Sequence, residues 1–219
     1  MDVPPRTQEN RERGRHARAL LFGVGLVLAG CAEAPKGEVT VRPSPQHQAT
    51  HQAVGESIVA SLGGAAVVVR WLPPTGVEQY FAAKPGLVVP WPRELWKETP
   101  PTVFWLRIHN QTPEELQFDP TLAGLVTQEG RRERLIPYEE MYQNLEGLEG
   151  SGPRLQSLQA TLFSRFVVLS PGGQREGLLV FPALTPETKH LVLELSSFFI
   201  GGRSLPGLFE FQVLRKNTE

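Results

Sequence analysis

Prolines and glycines cut this chain into short pieces. Its 219 residues hold 20 prolines and 21 glycines, spread along the length rather than repeated at a fixed period. Proline removes a ladder donor and breaks a helix interior, and glycine weakens both. The pattern therefore predicts many short elements joined by turns, with no internal repeat. The single cysteine, Cys31, rules out an intrachain disulfide. Stability must come from core burial, which a domain of about 150 residues can supply.

Thr102–Asn110 carries the clearest strand pattern. Phe104, Leu106 and Ile108 would face one side; Val103, Trp105, Arg107 and His109 would face the other, as in a half-buried strand. Ala65–Trp71 is rich in β-branched residues and stops at Pro73-Pro74. Further strands are expected at Gln79–Phe81, Leu116–Phe118, Leu122–Gln128, Arg134–Ile136, Phe163–Leu169, Gly177–Phe181, Leu191–Phe199 and Leu208–Leu214. Asn110-Gln111-Thr112-Pro113, Glu129-Gly130 and Pro171-Gly172-Gly173 supply turns. Five prolines between Pro85 and Pro101 make that stretch, with Trp91 and Trp96, a loop over the domain.

Residues 138–160 break the β pattern. Glu139, Glu140, Met141, Asn144, Leu145 and Leu148 suit one short helix, and Leu155, Leu158 and Leu162 a second. Helices this short need a surface to lie on, either the domain or a partner. Seven to nine strands without strand–helix alternation predict an antiparallel sandwich or barrel, not a parallel α/β sheet. The layout resembles immunoglobulin-like domains, although it lacks their Cys…Trp…Cys frame. The resemblance implies a mostly β fold, an antiparallel immunoglobulin-like β-sandwich over 65–219 with a helical insertion at about 138–160.

The N-terminus has its own logic. Arg6, Arg11, Arg13, Arg15 and Arg18 precede an uncharged run, Ala19–Leu28. About ten apolar residues are too few to span a bilayer, so a cleaved signal is the better reading. The run ends in Leu28-Ala29-Gly30-Cys31, which resembles the lipobox of bacterial lipoproteins. The resemblance implies cleavage before Cys31, acylation of that cysteine, and membrane attachment through three acyl chains, where one alone holds only reversibly. Ala32, in place of an aspartate, implies export to the outer membrane, facing the periplasm or the surface. An ordinary secretory signal with a chance cysteine is the alternative.

Residues 31–64 read as the lipidated cysteine followed by a flexible tether. The stretch has prolines at 35, 43 and 45, a Gln/His/Thr run from Gln46 to Gln52, and few large apolar side chains. It would not offset its ordering entropy by burial. A short helix at Glu56–Leu62 is the exception considered. The whole chain has 22 basic and 23 acidic residues; removing residues 1–30, with five arginines and three acids, leaves 17 and 20. A mature charge near −3 is no nucleic-acid footprint, and no nucleic-acid partner is expected.

Catalytic motifs are sparse. His47-Gln48-Ala49-Thr50-His51 has zinc-protease spacing but Gln48 where the base would stand. Asp119 is the one aspartate after residue 30 and suits a turn start better than a calcium loop. No G-x-S-x-G elbow or phosphate loop is present. Glu114-Glu115, Glu139-Glu140 and Arg131–Arg134 read as solvated surface charge. No metal and no cofactor are expected, and the chain reads as a non-enzyme. Four aromatics are candidate binding residues: Trp91 and Trp96 in the proline-rich loop, and Tyr138 and Tyr142 one helical turn apart. They could equally cap the core. The expected function is a membrane-anchored envelope lipoprotein acting as an interaction, scaffold or assembly domain. The alternative is a carbohydrate-binding protein or hydrolase using Trp91 and Trp96.

Overall fold

In chain order the strands are β1 (Glu38–Pro43), β2 (His51–Val54), β3 (Ser57–Leu62), β4 (Ala65–Leu72), β5 (Thr102–His109), β6 (Leu116–Phe118), β7 (Gly124–Thr127) and β8 (Arg132–Arg134). They continue with β9 (Val167–Leu169), β10 (Gln174–Phe181), β11 (His190–Leu195), β12 (Phe198–Ile200), β13 (Arg203–Ser204) and β14 (Gly207–Lys216). Helix α1 (Pro74–Ala82) separates β4 from β5; α2 (Tyr138–Glu146) and α3 (Ser151–Thr161) separate β8 from β9. These elements come from a computed structural model that describes residues 38–91 and 100–216.

Two five-stranded antiparallel sheets face each other. One runs β1-β14-β11-β7-β8; the other runs β10-β5-β4-β3-β2 and contains a four-strand meander, β2 to β5. A smaller sheet, β13-β12-β6-β9, adds its buried side chains to the same core. The fold is a mostly β sandwich with a helical insertion, as the strand pattern predicts. Phe104, Phe118, Phe181, Phe198, Phe209 and Phe211 are essentially fully buried in it. Each contributes about 1.5–3 kcal/mol relative to exposure. Phe104 touches Phe181 in its own sheet and Phe211 across the sandwich, with ring centroids at 6.2 and 5.1 Å.

The second sheet is covered on its outer face too. Along β10, Leu179 and Phe181 enter the sandwich core, while Leu178 and Val180 enter a second core under the helices. Val77 and Phe81 of α1, Met141 and Leu145 of α2, and Leu158 of α3 close that core. A Cβ at Gly177 would lie 2.7 Å from the Thr161 carbonyl oxygen and 2.9 Å from the Phe163 ring. Only glycine lets the end of α3 come this close to β10.

Several expectations need correction. The stretch 31–64 is no free tether throughout, because β1, β2 and β3 occupy 38–62. Ile58, Ala60 and Leu62 alternate into the core, where β1 and β14 of the facing sheet meet them. The polar run is ordered through side chains. The Gln46 amide donates to Glu210 O at 2.8 Å and accepts from Glu210 N–H at 3.2 Å, imitating a strand beside β14. Residues 56–62, considered as a helix, pair as β3 instead. Gln79–Phe81, expected as a strand, belongs to α1, whose Val77 and Phe81 fall on one buried face. Of Leu122–Gln128, only 124–127 is strand; a one-turn 3-10 helix at Pro120–Leu122 precedes it. Asp119 caps that turn, accepting from Thr121 N–H at 3.0 Å, as a turn-starting aspartate should.

A candidate binding groove beside the helical layer

Gly130 sets the geometry of the groove. Its φ of 77° lies in the left-handed region that glycine adopts without strain. Thr127 N–H donates to Arg131 O and Gly130 N–H donates to Thr127 O, both at 2.9 Å. This is a one-residue bulge, with two residues of one strand opposing one of the other. The next hydrogen-bonded pair is Leu125 with Glu133. Arg132 and Arg134 therefore turn their main-chain N–H and C=O away from β7. β8 is the edge of its sheet, and among the described residues no chain segment meets those groups.

Beyond β8 the chain crosses from one sheet to the other. Leu135 packs on the sandwich core and Ile136 on the helix-side core. Ile136 N–H donates to Val180 O at 2.9 Å, which anchors this strap to β10. Pro137 then starts α2, with a fixed φ of −61°. Each side of the strap is hollow. The larger hollow, about 560 Å³ and open, lies along β8 between Arg134, Leu135, Glu140, Pro182 and Ala183. The smaller, about 250 Å³ and more enclosed, is walled by Tyr138, Met141, Leu162, Phe163 and Leu178.

The rim is mostly paired charge. Arg132 donates to Glu194 Oε2 at 3.0 Å and to Leu122 O at 2.7 Å. Arg131 stands 3.9 Å from Glu133. Arg134, exposed, has no partner among the described residues. Glu139 and Glu140 sit in the first turn of α2, where the helix dipole favours them.

Of the four candidate aromatics, Tyr138 lines the smaller hollow and Tyr142 lies beside it, with ring centroids 6.1 Å apart and the rings tilted. Both are half-buried. Trp91, expected as a binding residue, is a core residue instead, 9% exposed and edge-on to Phe81 at 6.1 Å. Trp96 and Cys31 lie outside the described residues. The charge-rich 131–134 hairpin, read from sequence as solubilising, proves to be one wall of the groove. The signal that could have shown this is Gly130 followed by a short strand and then Pro137.

The other candidates are held in structural roles. His47 Nδ1 lies 2.7 Å from the Glu210 carboxylate at the surface. His51 is 7% exposed, with its ring centroid 4.8 Å from Phe209 and Nε2 without a hydrogen-bond partner. Burial holds His51 below its ordinary pKa, against an opposing pull from Glu210. Among the described residues no group of three or more His, Cys, Asp or Glu could hold a metal ion. Glu114 pairs with Arg203 at 3.4 Å and Glu115 with Gln117 at 2.8 Å, each within its own neighbourhood. A cluster the sequence did not reveal joins α1 to β10: Lys84 Nζ donates to Glu176 at 2.8 Å and sits 4.8 Å from the Tyr80 ring centroid. The bond to Glu176 raises the Lys84 pKa, and burial raises that of Tyr80. No helix among the described residues is long and apolar enough to cross a membrane. No protein-family model and no curated protein matches the chain.

Proposed function

We propose that this chain is a lipid-anchored envelope protein whose sandwich binds a protein partner at the groove along Arg134–Tyr138. The observation that carries the reading is the groove itself. An unpaired strand edge and an aliphatic floor lie along β8, and the half-buried Tyr138, with Tyr142 beside it, walls the adjoining hollow. Such a set recognises rather than reacts, since amphipathic aromatics beside apolar pockets are typical binding anchors. The anchor half of the proposal rests on Leu28-Ala29-Gly30-Cys31, and outer-membrane placement on Ala32. The carbohydrate-binding alternative loses its platform at Trp91, because that indole is buried.

One experiment addresses both halves. Cys31→Ser should shift the protein out of the membrane fraction, or leave it as a precursor, while its domain still melts cooperatively. A variant that stays on the membrane as firmly as the parent after processing would end the anchor reading. A photoreactive phenylalanine analogue at position 142 should crosslink one discrete partner in intact cells, and the same group at the exposed Arg107 position should not. Equal capture at both positions would remove the groove from the proposal.

A further inference from the structure

The geometry points to a specific mode of binding at the groove: an extended peptide segment of the partner adds a strand to the free edge of β8. This rests on the partner-binding reading above and gives it a register. Arg132 and Arg134 are two residues apart, and both turn their N–H and C=O outward. An added strand meets unpaired groups at that interval, and its main-chain bonds supply affinity while alternate side chains supply specificity. Edge strands left open in this way are templates for pairing, and natural proteins usually blunt them. β8 is blunted only by its brevity, three residues, and by its arginines.

The side chains of the docked segment follow from the pleat. A residue paired with Arg134 puts its own side chain on the same, outer face of the sheet. Its two neighbours point inward, over the Leu135, Pro182 and Ala183 floor of the open hollow. Arg134 is a cation without a partner among the described residues, while Arg132 is already bound to Glu194. The segment is therefore aliphatic at the inward positions, acidic opposite Arg134, and neutral opposite Arg132, where a second acid would face Glu194. For an antiparallel strand this reads Val-Glu-Val-Thr-Val.

The probe is that peptide, acetylated or fluorophore-labelled at one end and amidated at the other. Binding is measured by fluorescence anisotropy against the purified full-length mature chain. Saturable binding below millimolar concentration is expected. N-methylation of the Glu or the Thr nitrogen, each of which would face β8, should weaken it roughly tenfold, the loss of one main-chain hydrogen bond. N-methylation of the central Val, which faces away, should leave it within about threefold. Arg134→Glu should invert the side-chain preference, so that a Lys-for-Glu peptide binds better. Arg134→Pro removes an outward N–H that the fold does not use, together with the cation, and proline is tolerated at sheet edges; it should weaken binding at least tenfold without moving Tm. If that variant fails to fold, the N-methyl series still decides.

Three outcomes overturn the inference. One is no binding at millimolar peptide. The second is equal loss from all three N-methyl peptides, or loss from none. The third is a dimer of this chain in sedimentation that Arg134→Pro dissociates, which would make a second copy the occupant. Failure of the anchor reading is separate, because membrane fractionation of Cys31→Ser does not depend on any peptide.

Discussion

Asn110 has no exposed surface, yet its side chain makes four hydrogen bonds. Its amide nitrogen donates to Glu114 O at 2.8 Å and Leu169 O at 2.9 Å; its oxygen accepts from Thr112 N–H at 3.1 Å and Thr112 Oγ1 at 2.7 Å. One side chain thus ties the β5–β6 turn to β9. Asn110→Ala takes the amide donor from the Leu169 carbonyl and the acceptor from the Thr112 N–H, each costing about 1–3 kcal/mol, while Glu114 O keeps Thr112 Oγ1 as a donor. A loss of about 2–4 kcal/mol in urea unfolding is expected; a loss below 0.5 kcal/mol would mean that water replaces the amide. His51 supplies a pH dependence. Its folded-state pKa is depressed, so on acidification the unfolded chain takes up the proton first. Its contribution to stability is whole above about pH 6.5 and declines as pH falls from there toward the folded-state value. His51→Phe removes that titration and the orphaned Nε2. Between pH 7.5 and 5, the parent should lose a few degrees of Tm more than the variant. Parallel profiles would show that His51 does not titrate differently on folding.

The helical layer packs on the outer face of β10. Leu158 is fully buried between α3 and β10, and Leu178 and Val180 are covered from above. Leu158→Ala should cost about 2–5 kcal/mol, the range for a large core deletion. Replacing Tyr138–Ala160 by a short Gly/Ser loop would strip that cover and should lower Tm sharply, with dye binding to the exposed β10 face. An unchanged melt would show that the layer is an accessory. Strand β5 and helices α2 and α3 were legible in the sequence because their apolar positions keep one period over eight or more residues, or are bracketed by glycines. β3 was not, since Ser57, Ala60 and Ser61 carry little hydrophobic signal, and the burial of Ile58, Ala60 and Leu62 comes from β1 and β14 of the facing sheet. Helix α1 was hidden behind Pro73-Pro74, read as a stop. Proline at the first helical position is equally a start, and Val77 with Phe81 marks the buried face. The groove was half legible: Tyr138 and Tyr142 stood out, but the outward turn of Arg132 and Arg134 depends on a bulge register that no side chain announces.

At the scale of the molecule, the corrected boundary matters most. β1 pairs with β14 along its whole length, from Glu38 opposite Lys216 to Pro43 opposite Phe211. A chain begun at Glu38 should fold cooperatively, whereas one begun at Ala65 lacks three strands and should be insoluble or lack a sharp thermal transition. A cooperative melt from the shorter chain would return residues 38–64 to the role of a spacer. The same boundary sets a length. On the proposed acylation of Cys31, only residues 32–37 separate the anchor from β1, and seven peptide steps span at most about 25 Å. A folded body of this size is about 40 Å across. On the proposed anchoring, a ball wider than its leash would not turn over, and the end where the chain enters β1 would stay toward the lipid. A long spacer inserted after Lys36 should then weaken capture of a partner held at the same membrane while leaving the fold untouched.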